Sequence, residues 1–191
     1  MNADFITGLQ NPCGVAVNSQ YIYWSNSDTT TIGRANLDGS DVNNDFITTN
    51  GEVCEIALTS TNIYWSNYST AQIGQANLDG SNINNSFLPG GPGGVAIEGN
   101  YIYWTSNGGT GIGRAELNGT DANQNFITGL SGFNVFLTVD SAYIFWADWG
   151  SPGASGTTIG RAKIDGSGVN QSVIKNVLGP FGIAVTGGDP D

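Results

Sequence analysis

Few side chains in this sequence are equipped for chemistry. Two cysteines, Cys13 and Cys54, stand 41 positions apart. No CxxC pair or neighbouring histidine joins them, so the pattern supports neither a thiol nucleophile nor a zinc site. Two readings stay open: a disulfide formed in an oxidising compartment, or two thiols buried as small apolar side chains. Histidine is absent from the whole chain, which removes the commonest general base and the commonest transition-metal ligand. Carboxylates remain: Asp38, Asp79 and Asp165 each precede a glycine, and an oxygen-rich turn can hold a hard cation. Ca²⁺ is therefore left open as a cofactor and no other is expected. Their spacing does not match an EF-hand loop, and Asp-Gly is also what a tight hairpin turn demands.

The sixteen acidic and five basic residues give a formal net charge of −11. Such a surface repels phosphate backbones and anionic lipid, so nucleic acid is not expected as a partner. No apolar run approaches the length of a membrane span, so membrane insertion is not expected either. The opening MNADFITGL lacks the basic and apolar regions of a signal peptide.

The elements that must position these residues come from a repeat. Five landmarks return in fixed order. An apolar stretch reads CGVAV from Cys13, CEIAL from Cys54, GGVAI from Gly93 and VFLTV from Val135. An aromatic stretch follows, ending at Trp24, Trp65, Trp104 and Trp146, with spacings of 41, 39 and 42 residues. Then come IGRA at Ile32, IGQA at Ile73, and IGRA at Ile112 and Ile159. A turn of the type LDG, LNG or IDG and a short apolar strand close each copy. A period near 40 built from four strand-like pieces predicts an all-β chain, a β-propeller of four-stranded antiparallel blades. We label the strands of a blade a to d. The repeats span about 12–50, 51–90, 91–130 and 131–176 of one domain, 1–191, with a leading d strand at 4–8 and a trailing a strand at 181–186.

Strand a is apolar at consecutive positions, which predicts burial on both faces. Strand b alternates, with Tyr21 and Tyr23 on one face and Ile22 and Trp24 on the other. Strand c carries Gly33 and Ala35, small enough for a neighbouring sheet to approach. The two partial end strands would leave open edges, which folded proteins avoid. Closure by further chain, closure of a small ring, and self-association all remain open.

These motifs resemble the YWTD repeat, the low-density-lipoprotein-receptor class B repeat. The matching stretches are YWSN at Tyr23 and Tyr64, YWTS at Tyr103 and FWAD at Phe145, each followed by the I-G-R/Q-A segment. The resemblance covers nearly the whole chain. Only Asp148 keeps the acidic fourth position; Asn26, Asn67 and Ser106 replace it elsewhere. The resemblance implies a non-catalytic module for protein–protein contact and an extracellular or cell-surface location.

One blade departs from the repeat. The blade Trp and the next Ile are 8 residues apart in three copies, but Trp146 and Ile159 are 13 apart. The insertion carries Trp149, the one Trp outside the repeat position, beside Asp148. An extra aromatic on a loop of a rigid scaffold is a candidate binding contact, and Asp148 and Trp149 are the ligand-binding candidates. The alternative is a drifted loop whose Trp folds back on the blade. Arg34, Arg114 and Arg161 share one repeat position, which predicts a structural bond to neighbouring strands or turns.

The expected function is a binding or scaffold module acting through a protein partner or through self-association. A lectin-like propeller is the alternative, with Tyr21, Tyr101 and Tyr143 as sugar platforms and a glycan as ligand. A metal-dependent hydrolase or lyase needs convergent acids or His, and Glu55 and Glu98 do not recur as a set.

Overall fold

The structure, a computed structural model, describes residues 5–91, 93–151 and 154–185. The fold is all-β: four antiparallel sheets of four strands, each a meander in chain order. Blade 1 holds β1 (Pro12–Val17), β2 (Tyr21–Asn26), β3 (Thr31–Asn36) and β4 (Asn43–Thr48). Blade 2 holds β5 (Val53–Leu58), β6 (Asn62–Asn67), β7 (Gln72–Asn77) and β8 (Asn84–Pro89). Blade 3 holds β9 (Val95–Glu98), β10 (Tyr101–Ser106), β11 (Gly111–Glu116) and β12 (Asn123–Thr128). Blade 4 holds β13 (Asn134–Val139), β14 (Tyr143–Ser151), β15 (Ala154–Lys163) and β16 (Asn170–Lys175). This is a β-propeller of four-stranded blades. Its chain divides into two compact units, Met1–Pro89 and Gly90–Asp191, with two blades in each.

Inside every blade the strand-b Trp pairs in register with the strand-c Gly: Trp24 with Gly33, Trp65 with Gly74, Trp104 with Gly113 and Trp146 with Gly160. The indole lies flat across that glycine, and a Cβ there would overlap the ring. The glycine is thus used by the blade's own tryptophan, whereas the sequence reading assigned it to the approach of a neighbouring sheet. In blade 3 Gln124 Oε1 accepts from Trp104 Nε1 at 3.0 Å. Blades 1 and 2 carry the shorter Asn44 and Asn85 at that position, and there Trp24 Nε1 and Trp65 Nε1 have no hydrogen-bond partner among the described residues.

The cores lie between blades. In the first unit Tyr23, Ile32 and Ile47 of blade 1 meet Val53, Ile56, Ile63, Trp65 and Ala76 of blade 2. In the second unit the equivalent set recurs: Tyr103, Ile112 and Ile127 meet Leu137, Ile144, Trp146 and Ala162. A lone blade would leave both sheet faces wet, so each blade is stable through its neighbour. Hence β5 meets the expected burial of strand a in part, with Val53 and Ile56 buried and its other four residues half-buried, and β1 meets it less, with Gly14 buried, Ala16 half-buried and its other four residues exposed. Ile56 is 5% exposed, because blade 1 packs on it, and its counterpart Val15 is 62% exposed among the described residues.

The c–d turns also differ from expectation. Gly39 N–H donates to Asn36 C=O and Asn36 N–H to Ser40 C=O, both at 2.9 Å, with Gly39 at φ +83°. This is a three-residue loop with its glycine in the left-handed region, not a two-residue turn. Residue 4 and residue 186 of the two predicted end strands lie outside the described residues. The described parts, 5–8 and 181–185, form no strand. Their places are nonetheless those of blade strands. Phe5 packs against Gly39 as Phe46 packs against Gly80 and Phe126 against Gly166. Phe181 lies 4.4 Å from Phe136, whose counterpart Gly14 meets Cys54, the counterpart of Phe181.

Replacing Gly74 with Ala is expected to cost about 3 kcal/mol or more, because the added Cβ would overlap the indole of Trp65, which is fully buried. Urea unfolding of the variant measures it.

Candidate functional site

Strand a begins, and strand b ends, at the same end of each blade, and that end gathers the candidate residues. In the first unit it is knitted by hydroxyls. Ser25 Oγ accepts from Gly14 N–H at 2.8 Å and donates to Cys54 C=O at 3.0 Å. Ser27 Oγ donates to Val53 C=O at 3.0 Å. Gly14 has no Cβ, and one built there would sit 2.6 Å from Cys54 O. The inner strands therefore touch backbone to backbone.

That approach brings Cys13 and Cys54 together, with Sγ atoms 2.8 Å apart and both cysteines free. Cys13 is exposed and Cys54 half-buried, so neither is the fully buried thiol that one reading expected. A hydrogen bond from Cys54 lowers the pKa of Cys13. The same bond, together with burial, raises that of Cys54. Beside them Glu55 is pushed up to about 8, first by burial and then by the negative charge of Cys13. Nothing in the sequence pattern marks Glu55, since the repeat places Gly14, Gly94 and Phe136 at that position.

A cleft of about 280 Å³ opens at the same place. Asn11, Ser27 and Asp28 form its blade 1 wall, and Glu52, Cys54 and Tyr68 its blade 2 wall. Asn11 Nδ2 donates to Asp28 Oδ1 at 3.2 Å, and Tyr68 is 48% exposed. Asn11, Glu52 and Tyr68 escaped the sequence reading because each sits in a link between repeat landmarks.

In the second unit the described residues of the insertion are strand where the sequence reading expected a loop. The insertion lengthens the b–c hairpin, giving β14 nine residues and β15 ten where the equivalent strands have six. Pro152 and Gly153 of the insertion lie outside the described residues. Asp148 and Trp149 are adjacent but serve different ends. Asp148 Oδ1 accepts from Gly150 N–H at 2.9 Å and Oδ2 accepts from Thr158 Oγ1 at 3.5 Å, so this half-buried carboxylate holds its own hairpin. Trp149 is tied by its backbone to Phe133, its N–H donating to Phe133 C=O at 3.2 Å. Its ring lies 6.4 Å from Phe133 and 6.0 Å from Phe181 and stays 48% exposed. Trp149 thus both packs on its blade and presents a free aromatic surface.

The remaining candidates are structural. The Arg34 guanidinium lies between Tyr21 and Phe46, at 4.3 and 4.0 Å from the ring centroids, and Nη1 donates to Leu78 C=O at 3.4 Å. Arg114 repeats this with Tyr101 and Phe126, and Arg161 covers Tyr143 at 4.2 Å. The three tyrosines considered as sugar platforms therefore each have one ring face covered. Asp38 Oδ1 accepts from Ser40 N–H and Oγ at 2.9 and 2.6 Å, and Asp79 does the same with Ser81. These bonds hold both carboxyls below their usual range. No group of three or more metal-ligand side chains is gathered among the described residues.

Solved structures share this architecture. The chain is similar to a chain in the nidogen/laminin complex, with a TM-score of 0.56 and 16% identity over 84% of this chain and 78% of that one. It is similar to virginiamycin B lyase from Staphylococcus aureus with quinupristin, with a TM-score of 0.64 and 19% identity over 86% of this chain and 56% of the lyase. It is also similar to Kuenenia stuttgartiensis hydrazine synthase, with a TM-score of 0.70 and 12% identity over 91% of this chain and 51% of that one. This chain thus spans about half of the two enzyme chains. At these identities the likeness shows the β-propeller fold. No protein-family model and no curated protein matches the sequence.

Glu55 gives the site a pH signature. Its folded pKa lies above the unfolded value, so its contribution to stability is full below pH 4.5 and is lost as pH rises through about 8. The melting temperature should fall across that window, and Glu55→Gln should flatten the fall. Melts from pH 5 to 9 on both proteins measure it.

Proposed function

We propose that this chain is a non-catalytic propeller of YWTD-repeat type that binds a protein partner through the b–c end of its blades, in an extracellular or cell-surface setting. The observation that carries the reading is Trp149. It is a half-exposed aromatic on a hairpin lengthened in one blade alone, backed by Phe133 and flanked by exposed Phe181. Large, rigid aromatics of this kind dominate protein-binding surfaces. The net charge of −11 favours a basic partner. A structural neighbour that comes from a nidogen/laminin complex supports the same class of function.

The lyase neighbours do not favour catalysis here. The catalytically inactive form of virginiamycin B lyase is a His-to-Ala variant, and this chain has no histidine. The chain's own arginines cover the rings that a lectin reading would use.

Immobilised wild-type protein and Trp149→Ala, incubated with one pool of secreted proteins, test the reading. Wild type should retain a saturable partner and the variant should lose it by at least about tenfold. Equal retention by both would remove Trp149 from the interface.

Self-assembly is a second reading, favoured by exposed flanks. Val15 and Leu37 of blade 1 are exposed, although their blade 2 counterparts Ile56 and Leu78 are not; Ile174 of blade 4 is exposed, whereas Ile47 and Ile127 are buried. Light scattering over a concentration series should then give masses above 19.9 kDa, and Val15→Asp should return the monomer. A monomer at every concentration ends this reading.

A further inference from the structure

We infer that Cys13 and Cys54 form a reversible thiol–disulfide site that staples blade 1 to blade 2 across the mouth of the cleft, with Cys13 attacking and Cys54 resolving. The inference does not depend on the partner proposed above.

Geometry supplies the first argument. The sulfurs are 2.8 Å apart, although 41 residues separate the two positions in the chain. The approach is fixed by backbone, not by chance side-chain placement. Gly14 permits the contact with Cys54 C=O, and Ser25 holds both Gly14 N–H and Cys54 C=O. Ser27 repeats the tie one step away at Val53. A bond between the sulfurs therefore needs little movement of either strand.

Access supplies the second argument. Cys13 is exposed, and Cys54 lines the cleft. A small reagent can reach the pair from solvent, unlike a structural thiol sealed in a core. The asymmetry sets the roles. The exposed Cys13 is the sulfur whose thiolate is favoured by its neighbour, and thiolate is the nucleophile. Cys54 keeps its proton until the second step.

The oxidant is a low-molecular-weight disulfide such as oxidised glutathione. The Cys13 thiolate attacks one sulfur of that disulfide, its S–S bond breaks, and one glutathione thiolate leaves. Cys54 then gives up its proton and attacks the Cys13 sulfur, releasing the second glutathione. Two protons and two electrons pass from the cysteines to the reagent, which is reduced to two thiols.

The staple has a consequence for the cleft. Asn11, Ser27 and Asp28 stand on one side of the bond, and Glu52 and Tyr68 on the other. Oxidation locks the spacing of these walls; reduction leaves it to the serine hydrogen bonds. The second unit carries Gly93 and Val135 at the equivalent positions and has no such lock.

The test uses the whole chain, reduced and then mixed with oxidised glutathione. Intact mass should show loss of two hydrogens without a lasting adduct, and the melting temperature should rise by roughly 5–15 °C. In Cys54→Ser the reaction should stop at one stable glutathione adduct on Cys13. In Cys13→Ser, adduct formation at Cys54 should be at least about tenfold slower. Circular dichroism confirms that both variants are folded. Equal rates at the two cysteines would overturn the assigned roles. A wild-type chain that stays reduced, or that holds glutathione on both cysteines, would overturn the site.

Discussion

Everything in this structure depends on an indole lying across a glycine. Trp24 on Gly33, and its counterpart in each of the other blades, locks strand b to strand c and leaves no room for a Cβ between them. The locked pair gives each blade a thin, flat centre. Around it the same few residue types, an aromatic and two isoleucines, face the next blade, which answers with an isoleucine, its tryptophan and an alanine. Because a single blade cannot bury two faces, the interface between blades is the real core. The repeat is the sequence record of that interface.

The functional features are consequences of how closely blades can approach. Inner strands in the first unit touch through backbone at Gly14 and are held by serine hydroxyls, and this contact creates both the paired thiols and the cleft. The basic residues of the repeat are used for cohesion. Each guanidinium is laid on an aromatic ring, and Arg34 also reaches the turn of blade 2. Asp38, Asp79 and Asp165 stay on the exposed turns, and Trp149 stays half-exposed on the lengthened hairpin.

Much of this was legible because blade packing writes directly into residue type. Trp, Gly, Ile and the Arg position recur wherever the interface recurs, so strand order, blade number and the structural role of arginine could be read in advance. What could not be read depends on neighbours absent from the local pattern. The apolar run at Val15 is identical in kind to that at Ile56, yet among the described residues only Ile56 is buried, under blade 1. An insertion rich in Gly, Ser and Pro reads as a loop, but strand reaches Ser151 on one side and starts at Ala154 on the other. Asp148 matches the acidic position of the family pattern, and its carboxylate serves its own hairpin. Glu55 lies inside a landmark, but at a position where the other copies carry Gly14, Gly94 and Phe136, and most of the cleft lining lies in the links between landmarks, where no periodicity marks it. The proximity of Cys13 and Cys54 followed from equivalence of position; its closeness follows from Gly14, which the sequence offers without explaining.

The central claim is that burial by a neighbouring blade, rather than strand propensity, stabilises each sheet. Strands β1 and β5 occupy the same place in their sheets and differ in that neighbour. Native-state hydrogen exchange read by mass spectrometry compares them directly. The account predicts that amides of β5 exchange at least about tenfold more slowly than those of β1. Equal protection of the two strands would contradict it.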